Sequence, residues 1–294
     1  MKEVKEVKEV KERQGAHASN GAASTPLLHS LHSPPSPHSP PSPLSPNPHV
    51  QYVLRLADNA LILGQRLSEW CGHGPVLEED LALANMALDL IGQARALFAR
   101  VGRLEAMPRD EDQYAFLRAE SEYRNVTLVE LPNADFAHTV ARNLLYSAFQ
   151  QELWQALSAS SDPELAAIAE KVVKESRYHF RHSADWTIRL GDGTAESHER
   201  TQKAVDYLWP YTAEWFTADS VDDAVAAAGI GPAWITMEPR WNGALAPVLA
   251  EATLRTPSRT GFRSRGKLGM HSEYMGHLLA EMQYLQRAYP GNRW

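Results

Sequence analysis

The chain has 294 residues, with 29 Lys and Arg against 36 Asp and Glu and a formal net charge of −7. That balance excludes a general nucleic-acid binder, which needs a basic face. The single cysteine, Cys71, excludes an internal disulfide and suits a reducing compartment such as the cytoplasm.

The first 49 residues differ from the rest. Lys-Glu-Val repeats over 1–13, then Ser, Pro, His and Ala dominate, and nine of the 19 prolines fall between Pro26 and Pro48. Such a stretch cannot bury enough apolar surface to offset its ordering entropy, so residues 1–49 are expected to be a disordered low-complexity tail. Residues 50–294 are long enough for one domain with a substantial core. No run of 18 apolar residues interrupts them, so no membrane span is expected. Eight Trp and ten Tyr suit a large aromatic core or a buried protein interface.

Residues 51–70 predict a first helix, with Val53, Leu56, Ala60, Leu63, Leu67 and Trp70 stepping by three and four. Gly72, Gly74 and Pro75 end it. A second helix is expected from Glu78 to about Gly102, acidic at its start, with a seam of Leu83, Met86, Leu90, Gln93 and Leu97. Residues 111–130 read as a more polar helix that stops at Pro132. Asn133 reads as the cap of the next helix, whose stripe is Phe136, Val140, Asn143, Ser147, Gln150, Trp154 and Leu157.

The clearest helix runs from Asp162 to Gly193. Asp162 can cap, Pro163 fits the first turn, and Leu165, Ala169, Val172, Ser176, His179, Ser183, Trp186 and Leu190 alternate steps of four and three. Further helices are expected over 194–216 with a kink at Pro210, over 219–228, over 238–254 and over 271–289. Between the last two lies a basic loop with Arg255, Arg259, Arg263, Arg265 and Lys267 and no acid. It reads as a solvated linker or as a contact for phosphate or an acidic surface. No sustained strand alternation occurs. The fold class is all-α, an antiparallel bundle at its centre.

A di-iron carboxylate bundle needs one Glu from each of two helices and a Glu-x-x-His pair from each of the other two. That pair is absent. The inward positions at mid-bundle are Ala60, Leu63, Leu90, Gln93, Asn143, Ser147, Gln150, Ser176 and His179, and neutral groups of this kind can pair with one another without metal. A register one residue away would bring Asp89, Glu152 and Glu175 inward, which leaves an irregular oxygenase site around His179 as a rival. A third possibility is an acyl-CoA binding module served by the basic loop.

Several stretches resemble a known family, the C-type, non-catalytic subunits of the ring-1,2-phenylacetyl-CoA epoxidases of phenylacetate degradation. They are LRLADNALILGQRLSEWCGHGP at 54–75, DLALANMALDLIGQAR at 80–95, LVELPNADFAHTVAR at 128–142, DPELAAIAEKVVKESRYHFRHSADW at 162–186 and LAEMQYLQR at 279–287. The resemblance covers about residues 51–294. It implies a ferritin-like four-helix bundle with additional C-terminal helices, no cofactor and no catalytic residue of its own, and a complex with a ferritin-like catalytic subunit holding the di-iron centre. It also implies a reductase that supplies electrons, with phenylacetyl-CoA at the interface and neither nucleic acid nor membrane as partner. Leu90, Gln93, Ser176 and His179 would then stand where the catalytic subunit has Glu-x-x-His. The positions matched to the acyl-CoA contact are Glu122, Tyr123, Arg124 and Asn125, with Asp223, Ala224 and Val225 as a second set.

Overall fold

The computed structural model describes residues 45–106 and 108–292, and they belong to one compact unit. The low-complexity reading of residues 1–44 lies outside the described residues. Helix α1 spans Pro48–Ser68 and α2 spans Leu77–Leu104. Asn47 caps α1 by accepting from the His49 N–H, with Pro48 at the first position. His49, grouped with the tail from sequence, belongs to α1 and lies 2.8 Å from Asp162.

Next come the short α3 (Glu111–Phe116) and α4 (Thr127–Glu130), followed by the long α5 (Phe136–Leu157) and α6 (Pro163–Gly191). α1 packs on α2, α5 on α6, and α2 on α6. The pairs Gln93–Glu175, Asp89–His179 and Glu79–His182 show α2 and α6 running antiparallel. The result is a four-helix bundle with its long crossover between α2 and α5. The C-terminal part adds α7 (Ala195–Leu208), α8 (Ser220–Ala227), α9 (Glu238–Glu251), α10 (Glu273–Met282) and α11 (Tyr284–Ala288). No strand occurs among the described residues, only an isolated bridge between Arg265 and Met270.

α6 forms as expected. Asp162 accepts from the Glu164 and Leu165 N–H groups, and the stripe from Leu165 to Ser183 is buried. Gly191 sits where α6 meets the end of α9: a Cβ there would clash with the Ala252 carbonyl oxygen. α2 is long and apolar enough to cross a membrane by length and composition, which the count of uninterrupted apolar residues did not suggest. Eleven of its residues are nevertheless buried against the rest of the fold.

Four segments depart from their sequence patterns. Residues 111–130 do not form one helix. The N–H groups of Arg124, Val126 and Thr127 are instead taken by side chains of Asp58 at 2.8 Å, Asn59 at 2.8 Å and Glu214 at 3.0 Å, partners that local pattern cannot reveal. Asn133 is not a cap: Asp135 accepts from the His138 N–H, while the Asn133 amide donates to the Arg66 carbonyl and accepts from Arg142. The helix containing Pro210 ends at Leu208 and continues as a 3-10 turn over Trp209–Glu214, since proline offers no N–H to the ladder. The last helix breaks at Gln283, whose amide donates to the Arg118 carbonyl and the Tyr123 hydroxyl.

The basic loop is likewise tied down. Arg255 pairs with Asp206 at 2.9 Å and Arg259 with Glu238 at 2.8 Å. Lys267 is buried on Asp222 at 2.6 Å. Three of its five cations are therefore held by acids of this chain.

Candidate functional site

The four long helices meet around a cavity of about 20 Å³ at the bundle centre. α1 contributes Leu63 and Leu67, and α2 contributes Met86, Leu90 and Gln93. α5 supplies Asn143, Tyr146, Ser147 and Gln150, and α6 supplies Ser176 and His179. Leu90, Gln93, Ser176 and His179, singled out from sequence, are thus brought together. Tyr146 was missed, although it stands three residues beyond Asn143 on the same helix face. The volume accommodates about one water molecule.

The lining mixes aliphatic side chains with amides, hydroxyls and one imidazole, and it includes no carboxylate. The Gln93 amide donates to Glu175 at 2.9 Å, and the His179 Nε2 lies 3.1 Å from the Asp89 carboxylate. Both acids stand in the α2–α6 groove rather than among the lining residues, and Asp89 is 38% exposed. Glu152, the third acid of the irregular-site reading, turns to Arg240 at 3.5 Å. Ser147 and Ser183 donate back to carbonyls of their own helices, four residues earlier, a local pairing typical of helical hydroxyls. Burial pushes the Tyr146 phenol far above its ordinary value, against a hydrogen bond with Gln150 that lowers it. Asn143 Oδ1 is buried without a hydrogen-bond partner. Among the described residues, no group of three or more His, Cys, Asp or Glu is placed to hold a metal ion.

The second set of sequence candidates divides between the surface and the interior. A cleft of about 650 Å³ is bounded by Gln51 and Arg55 of α1, by Ser121, Glu122 and Arg124 of the crossover, by Val221 of α8 and by Lys267. Glu122 and Arg124 therefore border a cleft. Tyr123 and Asn125 are fully buried: the Tyr123 hydroxyl donates to the Ala115 carbonyl and the Asn125 amide to Glu130 at 2.8 Å. On α8, Val225 is buried in the core, Ala224 is half-buried and Asp223 reaches solvent.

Of the cations at this cleft, Arg124 and Lys267 were singled out from sequence, and Arg55, which only distant partners reveal, was missed. Arg55 bridges Asp219 at 2.6 Å and Asp222 at 2.8 Å. Arg124 differs: its guanidinium donates to the carbonyls of Ser121 and Tyr123, both at 2.7 Å, and to Gln51 at 3.2 Å. Desolvation lowers its pKa from the usual guanidinium range.

A family model described as phenylacetic acid catabolic protein matches residues 37–294. The chain is 48% identical over 248 residues to the C-type subunit of the 1,2-phenylacetyl-CoA epoxidase of Escherichia coli (strain K12). That alignment covers 84% of this chain and 100% of the relative.

Proposed function

The chain belongs to the phenylacetic acid catabolic protein family, and on that premise we propose that it is a structural, non-catalytic subunit of a phenylacetyl-CoA epoxidase. In this reading it binds and stabilises a second ferritin-like subunit that carries the di-iron centre, a reductase supplies the electrons, and the complex works in the cytoplasm.

The observation that carries the reading is the donor set at the bundle centre. Two iron ions in a buried site need anionic ligands to offset their charge, and such bundles use four carboxylates with two imidazoles. The residues around this cavity include no carboxylate, and their one imidazole already faces Asp89. This donor set does not fit a di-iron cluster. Gln93 and His179 pair with the two groove acids, Tyr146 with Gln150 and Ser147 with its own helix, as buried polar groups without metal do.

The acyl-CoA approach is assigned to the surface cleft. Arg124 there offers a guanidinium held by neutral oxygens rather than by a carboxylate, a donor suited to a phosphate. Glu122 borders the same cleft, and Asp223 stands on the helix that forms its edge.

The rival reading, an oxygenase using Asp89, Glu175 and His179, is separated by Glu175→Ala in the assembled complex. A structural role leaves turnover within about twofold of wild type. Abolished turnover in a complex that still assembles would overturn the proposal.

A further inference from the structure

Three polar side chains at the bundle centre carry hydrogen-bonding capacity that the protein itself does not meet. Asn143 Oδ1 is buried without a partner. Ser176 is buried, and among the described residues no hydrogen bond reaches its hydroxyl. Ser147 and Ser183 instead donate back to carbonyls of their own helices, so Ser176 departs from the usual local pairing of helical hydroxyls. His179 Nε2 lies 3.1 Å from the Asp89 carboxylate. A carboxylate only accepts, so this nitrogen carries the proton, and Nδ1 of the neutral ring is an acceptor. Among the described residues no donor meets that Nδ1.

All three residues line one cavity, and buried polar groups normally find a partner in protein or in ordered water. Size, charge and hydrogen-bond count define what meets them here. The cavity, of about 20 Å³, clears the roughly 10–15 Å³ that a single water needs. Its lining has no carboxylate to hold a cation and no lysine or arginine to hold an anion, so the occupant is neutral. Asn143 Oδ1 and His179 Nδ1 accept, while the Ser176 hydroxyl is free to donate. The occupant therefore needs two donors and at least one acceptor. Water supplies both, and a buried water typically makes about three hydrogen bonds. Dioxygen or a hydrocarbon has no proton to donate.

We propose that a single ordered water occupies the bundle centre, donating to Asn143 Oδ1 and His179 Nδ1 and accepting from the Ser176 hydroxyl. The water joins α5 to α6, and through His179 and Asp89 the same chain of hydrogen bonds reaches α2. Three helices are thereby tied together at the level where a di-iron bundle is tied through its metal. The inference rests on the functional reading above in one respect: both require a centre without iron.

The test takes the full chain as wild type, as Ser176→Val and as Asn143→Leu. Ser176→Val removes the hydroxyl and puts a methyl group into the cavity; Asn143→Leu removes an acceptor at similar volume. High-resolution diffraction from wild type, with data collected at the iron edge, should show one peak within hydrogen-bond distance of Asn143, Ser176 and His179 and no anomalous signal. Oxygen-17 magnetic relaxation dispersion, which counts long-lived internal waters in solution, should show one fewer in each variant than in wild type. A wild-type centre without a peak would overturn the water site and leave the subunit reading standing. An anomalous iron peak would overturn both. Equal water counts in all three proteins would overturn the assignment of the water to this cavity.

Discussion

Replacing Asp58 with Ala should be among the most damaging single changes in the chain. Asp58 and Arg118 are both fully buried and ion-paired. The guanidinium lies 4.1 Å from the Tyr123 ring centroid. Asp58 also accepts from the Arg124 N–H at 2.8 Å. Removing the carboxylate leaves a buried cation without its counter-charge, at a cost of about 3–5 kcal/mol. It also orphans the Arg124 N–H, at about 1–3 kcal/mol. The two effects share a partner and do not simply add, so the expected loss is about 4–6 kcal/mol. For a domain of this size each kcal/mol lowers the melting temperature by about 2–4 °C, which gives a drop on the order of 10–20 °C by calorimetry or circular dichroism. The double variant Asp58→Ala/Arg118→Met removes the uncompensated charge and should recover about half of that loss. Melting of the single variant within about 3 °C of wild type would refute the reasoning. So would a double variant no more stable than the single one.

Four further outcomes follow from two histidines and two glycines. His271 presents one ring nitrogen to Glu130 at 2.7 Å and the other to the Tyr123 carbonyl at 3.2 Å. Burial lowers its pKa, but the Glu130 hydrogen bond and charge prevail and hold it above its ordinary 6.5. Its stabilisation is complete below that unfolded value and is lost as pH rises through the folded one, so melting temperature should fall above pH 6.5, with a shallower slope in Glu130→Gln. His138 behaves oppositely: burial, then the nearby Arg142 charge, push it down to about 4. Its contribution is full above the unfolded pKa of about 6.5 and is lost as pH falls towards the folded one. An NMR titration should place the His138 midpoint near 4, and a midpoint near 6.5 would contradict its burial. Finally, Gly191→Ala forces a Cβ against the Ala252 carbonyl and should cost about 1–3 kcal/mol. Gly243→Ala in α9, where the space is open, should be neutral or stabilising by up to about 1 kcal/mol.

The bundle and its centre were legible because both depend on local periodicity. Steps of three and four placed Ala60, Leu63, Leu90, Gln93, Asn143, Ser147, Gln150, Ser176 and His179 inward; all nine are buried, and all but Ala60 line the cavity. The Asp162 cap was legible for the same reason, since its partners lie two and three residues away. What sequence obscured is held by partners far along the chain. Residues 111–130 looked helical because Arg118, Glu122 and Glu130 resemble a solvated face, yet Arg118 and Glu130 are buried on Asp58 and His271. The loop at 255–267 looked free of acids because Asp206, Glu238 and Asp222 come from elsewhere in the chain. Tyr123, Asn125 and Val225 looked able to meet a ligand. Only the fold reveals that they are interior.

The measurement that bears most directly on the central claim is the iron content of each subunit. The chain would be co-purified with the di-iron subunit proposed as its partner, the two separated under native conditions, and both fractions analysed. Iron well below stoichiometric in this chain, with about two ions in the partner, is the expected result. Two irons bound per copy of this chain, with oxygen-dependent turnover by the isolated subunit, would contradict it.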